Sequence, residues 1–95
     1  MKYEIMFIVR PNVDEGELKD IVKTYEKVFT DNGAKIELSK ETGQKELSYE
    51  IKGYNYGYYY LYVIDCNDEK AQKEFDRLAN LSEDIIRHMV IKLEK

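Results

Sequence analysis

The sequence contains few of the residues that build reactive or cross-linked sites. Its 95 residues include one cysteine, Cys66, one histidine, His88, and one proline. A single cysteine excludes an intramolecular disulfide, which fits a reducing compartment. His88 has no cysteine or second histidine at metal-ligand spacing, so the pattern does not indicate a zinc site. We therefore expect no metal and no other cofactor.

Long apolar runs and phosphate-binding loops are also missing. No stretch approaches the roughly 20 apolar residues of a membrane span, so we expect no membrane association. Gly53 and Gly57 flank a predicted turn between strands and lack the helix and lysine that follow a phosphate loop. No catalytic constellation is present, and we predict a protein that is not an enzyme and has no small-molecule substrate.

The charge balance lacks the basic excess that is typical of nucleic-acid binding. Lysine and arginine number 15 against 19 acidic residues, which gives a formal net charge of −4. The basic residues are scattered among acidic ones rather than gathered in a stripe. A contact with nucleic acid would therefore be local or shared with a more basic partner.

Two segments are apolar on both faces, as central strands of a sheet are. They are residues 3–9 and the tyrosine-rich segment 58–64. Strand side chains alternate between faces, which divides these residues into two sets. One set contains Tyr3, Ile5, Phe7, Tyr58, Tyr60, Tyr62 and Ile64. The other contains Met6, Ile8, Tyr59, Leu61 and Val63.

Two helices are predicted from capping residues and apolar spacing. Asp14, followed by Glu17, starts the first helix as in a capping box, and Asn32-Gly33 ends it. Asn67 or Asp68 caps the second helix. The buried stripe of the first helix is Leu18, Ile21, Val22, Tyr25, Val28 and Phe29, and that of the second is Ala71, Phe75, Leu78 and Ala79.

The region between the first helix and the tyrosine-rich strand is long and extended, over residues 34–52. Ile36 and Leu38 alternate on even positions, whereas Leu47, Tyr49 and Ile51 alternate on odd ones. A strand changes parity only through a bulge or break, and Gly43 is the predicted place. Residues 53–57 are predicted to form a five-residue hairpin loop, and residues 85–93 the last strand.

The element order predicts an α+β, ferredoxin-like βαββαβ sandwich, with a single domain over residues 1–95. Its four-stranded antiparallel sheet has the first and third strands at the centre and both helices on one face. Either of the two side-chain sets can meet the helices. We predict that the larger one, with Tyr3 and Tyr60, does so. The set with Met6 and Tyr59 then forms an open apolar patch suited to docking.

Several segments together resemble one family, the sixth protein of the bacterial small ribosomal subunit. The segment 43–52, GQKELSYEIK, is similar to the family signature of glycine, a basic residue, leucine, tyrosine and isoleucine. The family pattern is also matched by Tyr3-Glu4, Arg10-Pro11-Asn12, Gly57-Tyr58-Tyr59 and the segment 87–92, RHMVIK. The resemblance covers nearly the whole chain, in order.

This resemblance implies a ferredoxin-like fold without catalysis, in a cytoplasmic, ribosome-associated protein. It also implies binding to the central domain of small-subunit rRNA together with ribosomal protein eighteen, whose positive charge would neutralise most of the phosphates. The expected rRNA-binding residues are Lys2, Tyr3, Lys45, Arg87, His88 and Lys92. The expected partner-docking residues are Leu47 and Tyr49, with Tyr59, Leu61 and Val63 as a second choice.

Two other functions are compatible with the same fold. One is a small regulatory or assembly domain that dimerises through its open sheet face. The other is an acylphosphatase-like enzyme, which the short, acidic segment 10–14 disfavours because no phosphate-cradling loop follows the first strand. The tyrosine-rich strand only partly resembles the aromatic string of RNA-recognition modules, so we interpret its tyrosines first as core residues.

Overall fold

The sheet is organised around the pairing of its first and third strands. A computed structural model describes residues 1–93, and the predicted domain extends two residues beyond this range. Over the described residues, β1 (Lys2–Val9) pairs antiparallel with both β3 (Tyr54–Asp65) and β4 (Ile85–Leu93). The strand β2 (Lys35–Ile51) pairs with β3, giving the order β2-β3-β1-β4. The predicted ferredoxin-like plan, with β1 and β3 central, is confirmed.

The two helices begin close to where their sequences predict. Asp14 is the N-cap of α1 (Glu15–Asp31), and its carboxylate accepts a hydrogen bond of 2.7 Å from the Glu17 N–H. The N-cap of α2 (Lys70–Leu81) is Glu69, so the prediction of Asn67 or Asp68 is early by one or two residues. The Asp68 carboxylate nevertheless accepts from the Lys70 N–H at 3.0 Å, which satisfies one of the free first-turn donors.

The core lies between the helices and the face of the sheet that we predicted to meet them. Phe7 is at its centre, with ring-centroid distances of 5.3 Å to Tyr25 and 5.8 Å to Phe75 on the helices. It also stacks on Tyr60 and Tyr62 of the neighbouring strand, at 5.3 and 5.9 Å. Because these residues form one buried cluster with Tyr3, Ile5 and Ile64, the predicted assignment of faces is confirmed.

The tyrosine hydroxyls at the edge of this core have acidic partners. Tyr62 donates to the Glu26 carboxylate at 2.7 Å, and Tyr60 donates to Glu41 at 3.0 Å. These bonds tie β3 to α1 and to β2. Burial raises the pKa of both tyrosines far above the ordinary value, and the adjacent carboxylates add to the effect.

The strand β2 bends because its pairing with β3 is interrupted three times. The register shifts between Ile36 and Leu38, between Glu41 and Gly43, and between Glu46 and Ile51. Gly43, at φ +82°, is therefore one of three irregular places rather than the only one. Seventeen residues would span about 56 Å if straight, but the longest dimension of the molecule is 36 Å. The bulges let the strand curve with the sheet.

The connection from β2 to β3 is shorter than predicted. The prediction of a five-residue loop over residues 53–57 is wrong, because β3 already begins at Tyr54 and only Lys52 and Gly53 form the turn. Both have positive φ, 52° and 85°, as a two-residue type I′ hairpin requires. The prediction missed it because Lys52 is not a residue typical of that conformation.

A bulge in the pairing of β1 with β4 places the neighbouring residues Ile86 and Arg87 on the same face of the sheet. The register shifts between Ile8 and Val9, so that Ile85 joins the main core and Ile86 lies on the helix-free face. Arg10 fixes this end of the sheet. Its backbone N–H donates to the Asp84 carbonyl and its Nε donates to the Asp84 carboxylate, both at 2.8 Å. Because the register shift leaves Ile86 on the helix-free face, a second, smaller apolar cluster forms there.

Candidate partner and RNA interface

The helix-free face of the sheet carries a belt of apolar side chains across all four strands. Strand register aligns these side chains in two neighbouring rows, which each run from β2 through β3 and β1 to β4. The first row is Leu38, Val63, Glu4 and Ile91, and the second is Lys40, Leu61, Met6 and Met89. Leu38, Met89 and Ile91 are 38–44% exposed at the two edges. The predicted open patch is thus confirmed here, and it is wider than predicted.

One member of the predicted open patch is covered. Ile8 is only 2% exposed, because Leu47 and Ile86 pack against it and form the second cluster. Leu47 is itself 7% exposed. The predicted docking residue Leu47 therefore makes an intramolecular contact, and the prediction of an open Ile8 is wrong. The physical reason is the third register shift of β2, which the alternation of side chains could not indicate.

That shift produces a segment that folds back over the sheet, which we call the bulge (residues 47–50). Its four residues stand opposite the single residue Asn55, between the pairs Glu46–Tyr56 and Ile51–Tyr54. Tyr49 at its tip is 61% exposed, and its hydroxyl accepts a hydrogen bond from an Arg87 terminal nitrogen at 2.5 Å. The bulge thus reaches from β2, at one edge of the sheet, to β4 at the other.

A groove of about 260 Å³ lies between the bulge and the apolar belt. Its apolar lining comes from β1, the bulge and β3, and Arg87 and Met89 of β4 close its side. The lining residues are Met6, Ile8, Leu47, Ser48, Tyr49, Ile51, Tyr59, Arg87 and Met89. The structure therefore brings three of the predicted docking residues, Leu47, Tyr49 and Tyr59, to one concave surface. Leu61 and Val63 belong to the adjoining belt.

Lys45 extends the same region with a positive charge. Its ammonium nitrogen lies 5.8 Å from the centroid of the Tyr59 ring, within the range of a cation–π contact. Lys45 pairs with Gly57 in the ladder, so its side chain leaves the sheet on the helix-free face. The face therefore combines an apolar belt with a cation at its end.

The structure does not gather the other predicted rRNA-binding residues into one group. Lys2 pairs with Leu93 and Tyr3 with Lys92, whereas Phe7 pairs with His88 and Ile8 with Arg87. Corresponding members of the two pairs are five positions apart along β1, which corresponds to about 17 Å. Lys2 and Lys92 thus lie at one end of the sheet, and Arg87 and His88 lie at the other.

Two of these residues have side chains that make contacts on the helix side of the sheet. Tyr3 belongs to the main core and is 4% exposed. The His88 ring lies edge-on to Phe75 at 5.7 Å, and its Nε2 is 2.8 Å from the Asp76 carboxylate of α2. Both side chains lie on the helix side of the sheet, so neither contributes to the helix-free face. Side-chain alternation along the strands alone explains this, since both residues occupy core-facing positions next to residues that face outward.

Lys2 is exposed but already paired. Its ammonium lies 2.9 Å from the Glu37 carboxylate, and this hydrogen bond raises the pKa of Lys2. A phosphate at this position would compete with Glu37 for the lysine. The free positive charge at this end of the sheet is therefore smaller than the sequence suggests.

Sequence reasoning missed three residues of the belt as docking candidates. Met89 and Ile91 have the parity opposite to His88 and Val90, which was the available signal. Leu38 was expected to share a face with Ile36, but the first bulge of β2 turns it to the helix-free face. Sequence alone gave no indication of that bulge.

Metal-ligand clusters and membrane-spanning helices are absent from the described part of the chain. Within residues 1–93, no three histidine, cysteine, aspartate or glutamate side chains are grouped so that they could hold a metal ion. No helix in this range is long and apolar enough to cross a membrane.

Comparisons with known proteins agree with the architecture. A family model described as ribosomal protein S6 matches residues 2–92. A solved crystal structure, that of 30S ribosomal protein S6 from Thermotoga maritima, is similar with a TM-score of 0.89 and 31% sequence identity. The alignment covers 95% of this chain and 84% of that chain. Both comparisons therefore extend over nearly the whole sequence.

Proposed function

The chain belongs to the ribosomal protein S6 family, whose members are structural proteins of the small ribosomal subunit, and we propose that it binds the central domain of small-subunit rRNA together with ribosomal protein eighteen. The family is structural rather than enzymatic. The proposed location is the cytoplasm, with the ribosome.

The helix-free face is the proposed docking surface for the protein partner. The observation that carries this proposal is the apolar belt, which leaves Leu38, Met89 and Ile91 exposed beside half-buried Leu61 and Val63. A contiguous apolar surface of this kind on a small domain marks an interaction site. The adjoining groove supplies a concave pocket at the end of the belt. Covering both surfaces would remove apolar area from water and drive association.

The charge of the chain supports a shared rRNA site. A net charge of −4 gives little overall attraction to phosphate, whereas a basic partner seated on the belt would supply most of the neutralisation. The cations of this chain that remain candidates for phosphate contact are Lys45 at one end of the sheet, and Lys2 and Lys92 at the other. Such contacts would position the pair on structured RNA by shape and backbone.

Binding measurements with three combinations of components test this proposal. A fragment of the rRNA central domain is titrated with this chain, with ribosomal protein eighteen, and with both at equal concentrations. We expect weak binding by this chain alone and binding at least about tenfold tighter by the pair. Equal affinities for the chain alone and for the pair would contradict joint binding.

A charge placed in the belt tests where the partner docks. We expect Leu61→Glu to disrupt formation of the protein pair, because docking would desolvate the new carboxylate at a cost that the neighbouring Lys40 offsets only in part. Thr24→Glu adds the same charge on an exposed position of α1 and is the matched control. Circular dichroism of both variants checks that they are folded. Normal pairing of a folded Leu61→Glu variant would place the docking surface elsewhere.

A further inference from the structure

The hydrogen bond between Arg87 and Tyr49 closes the bulge over the sheet. Tyr49 comes from β2 and Arg87 from β4, which are the two outer strands in the order β2-β3-β1-β4. At neighbouring strand spacings of about 4.8 Å, these strands lie about 14 Å apart. The contact between the two side chains therefore spans β3 and β1. Both residues line the groove.

The two ends of the bulge are held in different ways. Leu47 at its beginning is buried against Ile8 and Ile86, so packing fixes that end. Tyr49 is 61% exposed and lies in a segment that has no one-to-one ladder partner on β3. An exposed side chain in such a segment keeps much of its rotational freedom unless a specific contact orders it. The bond from Arg87 is a contact that can order the Tyr49 ring.

The size and lining of the groove indicate what it would accept. A volume of about 260 Å³ is below the roughly 300–1,000 Å³ of small-molecule sites. Its floor contains Met6, Ile8 and Tyr59, which are apolar or aromatic. This chemistry fits a large apolar side chain that projects from a protein bound to the adjoining belt. The Tyr49 ring would form one wall around that side chain.

We propose that Arg87 is a positioning residue for protein docking, because its guanidinium holds the Tyr49 ring as a wall of the groove that receives an apolar side chain of the partner. This role rests on the proposed function for the identity of the partner. It differs from the phosphate contact that the sequence predicts for Arg87. A guanidinium that donates to Tyr49 over the groove faces the protein partner rather than the RNA backbone.

A double-mutant cycle between the two residues tests this role. Tyr49→Phe removes only the hydroxyl, and Arg87→Met keeps much of the side-chain stem but removes the donors. Each is expected to weaken binding of the protein partner roughly three- to tenfold, as the loss of one hydrogen bond does. The double variant should bind no more weakly than either single variant, because both remove the same contact. Tyr56→Phe is the matched control, since Tyr56 is an exposed tyrosine of the same hairpin that does not line the groove.

The salt dependence of rRNA binding separates positioning from phosphate contact. The preassembled protein pair is titrated with rRNA at several salt concentrations, using saturating partner so that docking is complete. A lost phosphate contact would lower the slope of log K against log salt by about one. We expect Arg87→Met to keep the wild-type slope. A slope reduced by about one, with partner affinity unchanged, would overturn the positioning role.

Amide hydrogen exchange of the free protein gives a measurement that needs no partner. We expect the backbone amides of residues 47–50 to exchange faster in Tyr49→Phe and in Arg87→Met than in the wild type. Unchanged exchange in both variants would overturn the role of Arg87. If exchange increases but the wild-type chain does not bind the protein partner, the proposed function fails while the structural contact stands.

Discussion

Gly57 lies against Ile8 so closely that the site has no room for a β-carbon. A Cβ built on Gly57 would overlap the Ile8 Cγ2 atom and lie 3.2 Å from the Val9 carbonyl oxygen. Ile8 is part of the cluster that receives Leu47. The glycine therefore allows the apolar floor beneath the bulge to pack directly against the backbone of β3.

Substitution of Gly57 by alanine is expected to destabilise the protein by about 1–3 kcal/mol, the usual cost of overpacking. Urea denaturation measures this change. Gly16→Ala is the control, since the nearest atom to its added Cβ is Asp14 Oδ1 at 3.4 Å and alanine favours the helix that contains it. The effect of Gly57→Ala should shrink in an Ile8→Ala background. A full, additive loss in that background would contradict the proposed overlap.

Truncation of Leu47 is expected to loosen the bulge from the sheet. Leu47→Ala removes a side chain that is 7% exposed in a small cluster, and a loss of about 2 kcal/mol is expected. Leu38→Ala provides the comparison, because Leu38 is 44% exposed on the same strand and should cost less than about 1 kcal/mol. Equal effects in urea denaturation would show that the Leu47 pocket contributes no special stability.

Much of the fold follows from side-chain periodicity and capping chemistry. The two-faced apolar pattern of β1 and β3 placed them at the centre of the sheet, and Tyr3, Phe7 and Tyr62 were assigned to the correct face. Asp14 and Gly33 marked the ends of α1, since a carboxylate cap and a left-handed glycine have strong local preferences. These features depend on residues close together in sequence.

The parts that were missed depend on pairing between distant residues. The face of Leu38 is set by the register of β2 against β3, and a single extra residue there reverses it. Leu47 is buried because the bulge reaches Ile8 and Ile86, which lie far away in the sequence. The predicted rRNA-binding residues do not form one group, because they lie at opposite ends of the sheet and on both of its faces. Residue types alone do not specify such relationships.

The hairpin turn offers a stabilising substitution. Lys52 adopts φ 52° in the first central position of the turn, a conformation that asparagine tolerates better than lysine. Lys52→Asn creates the Asn-Gly pair that favours this turn, and we expect a gain of up to about 1 kcal/mol. Thermal and urea denaturation measure it. Gly53→Ala, at φ 85°, should be destabilising instead, and stabilisation by both substitutions would contradict the assigned turn.

Alkaline pH is expected to unfold the protein through its buried tyrosines. Burial is the main cause that raises the pKa of Tyr60 and Tyr62 in the folded state, and the carboxylates of Glu41 and Glu26 add to it. Because an unfolded tyrosine ionises near pH 10, the unfolded chain loses these protons first. The contribution of each tyrosine to the free energy of unfolding is therefore fully present below about pH 10. Above that pH it falls by up to about 1.4 kcal/mol per pH unit. Urea denaturation at pH 9 and at pH 11 measures the loss.

Tyr62→Phe should reduce the loss between these pH values, although removal of its 2.7 Å bond to Glu26 lowers stability at neutral pH. Parallel curves for wild type and Tyr62→Phe would show that Tyr62 ionisation does not drive alkaline unfolding.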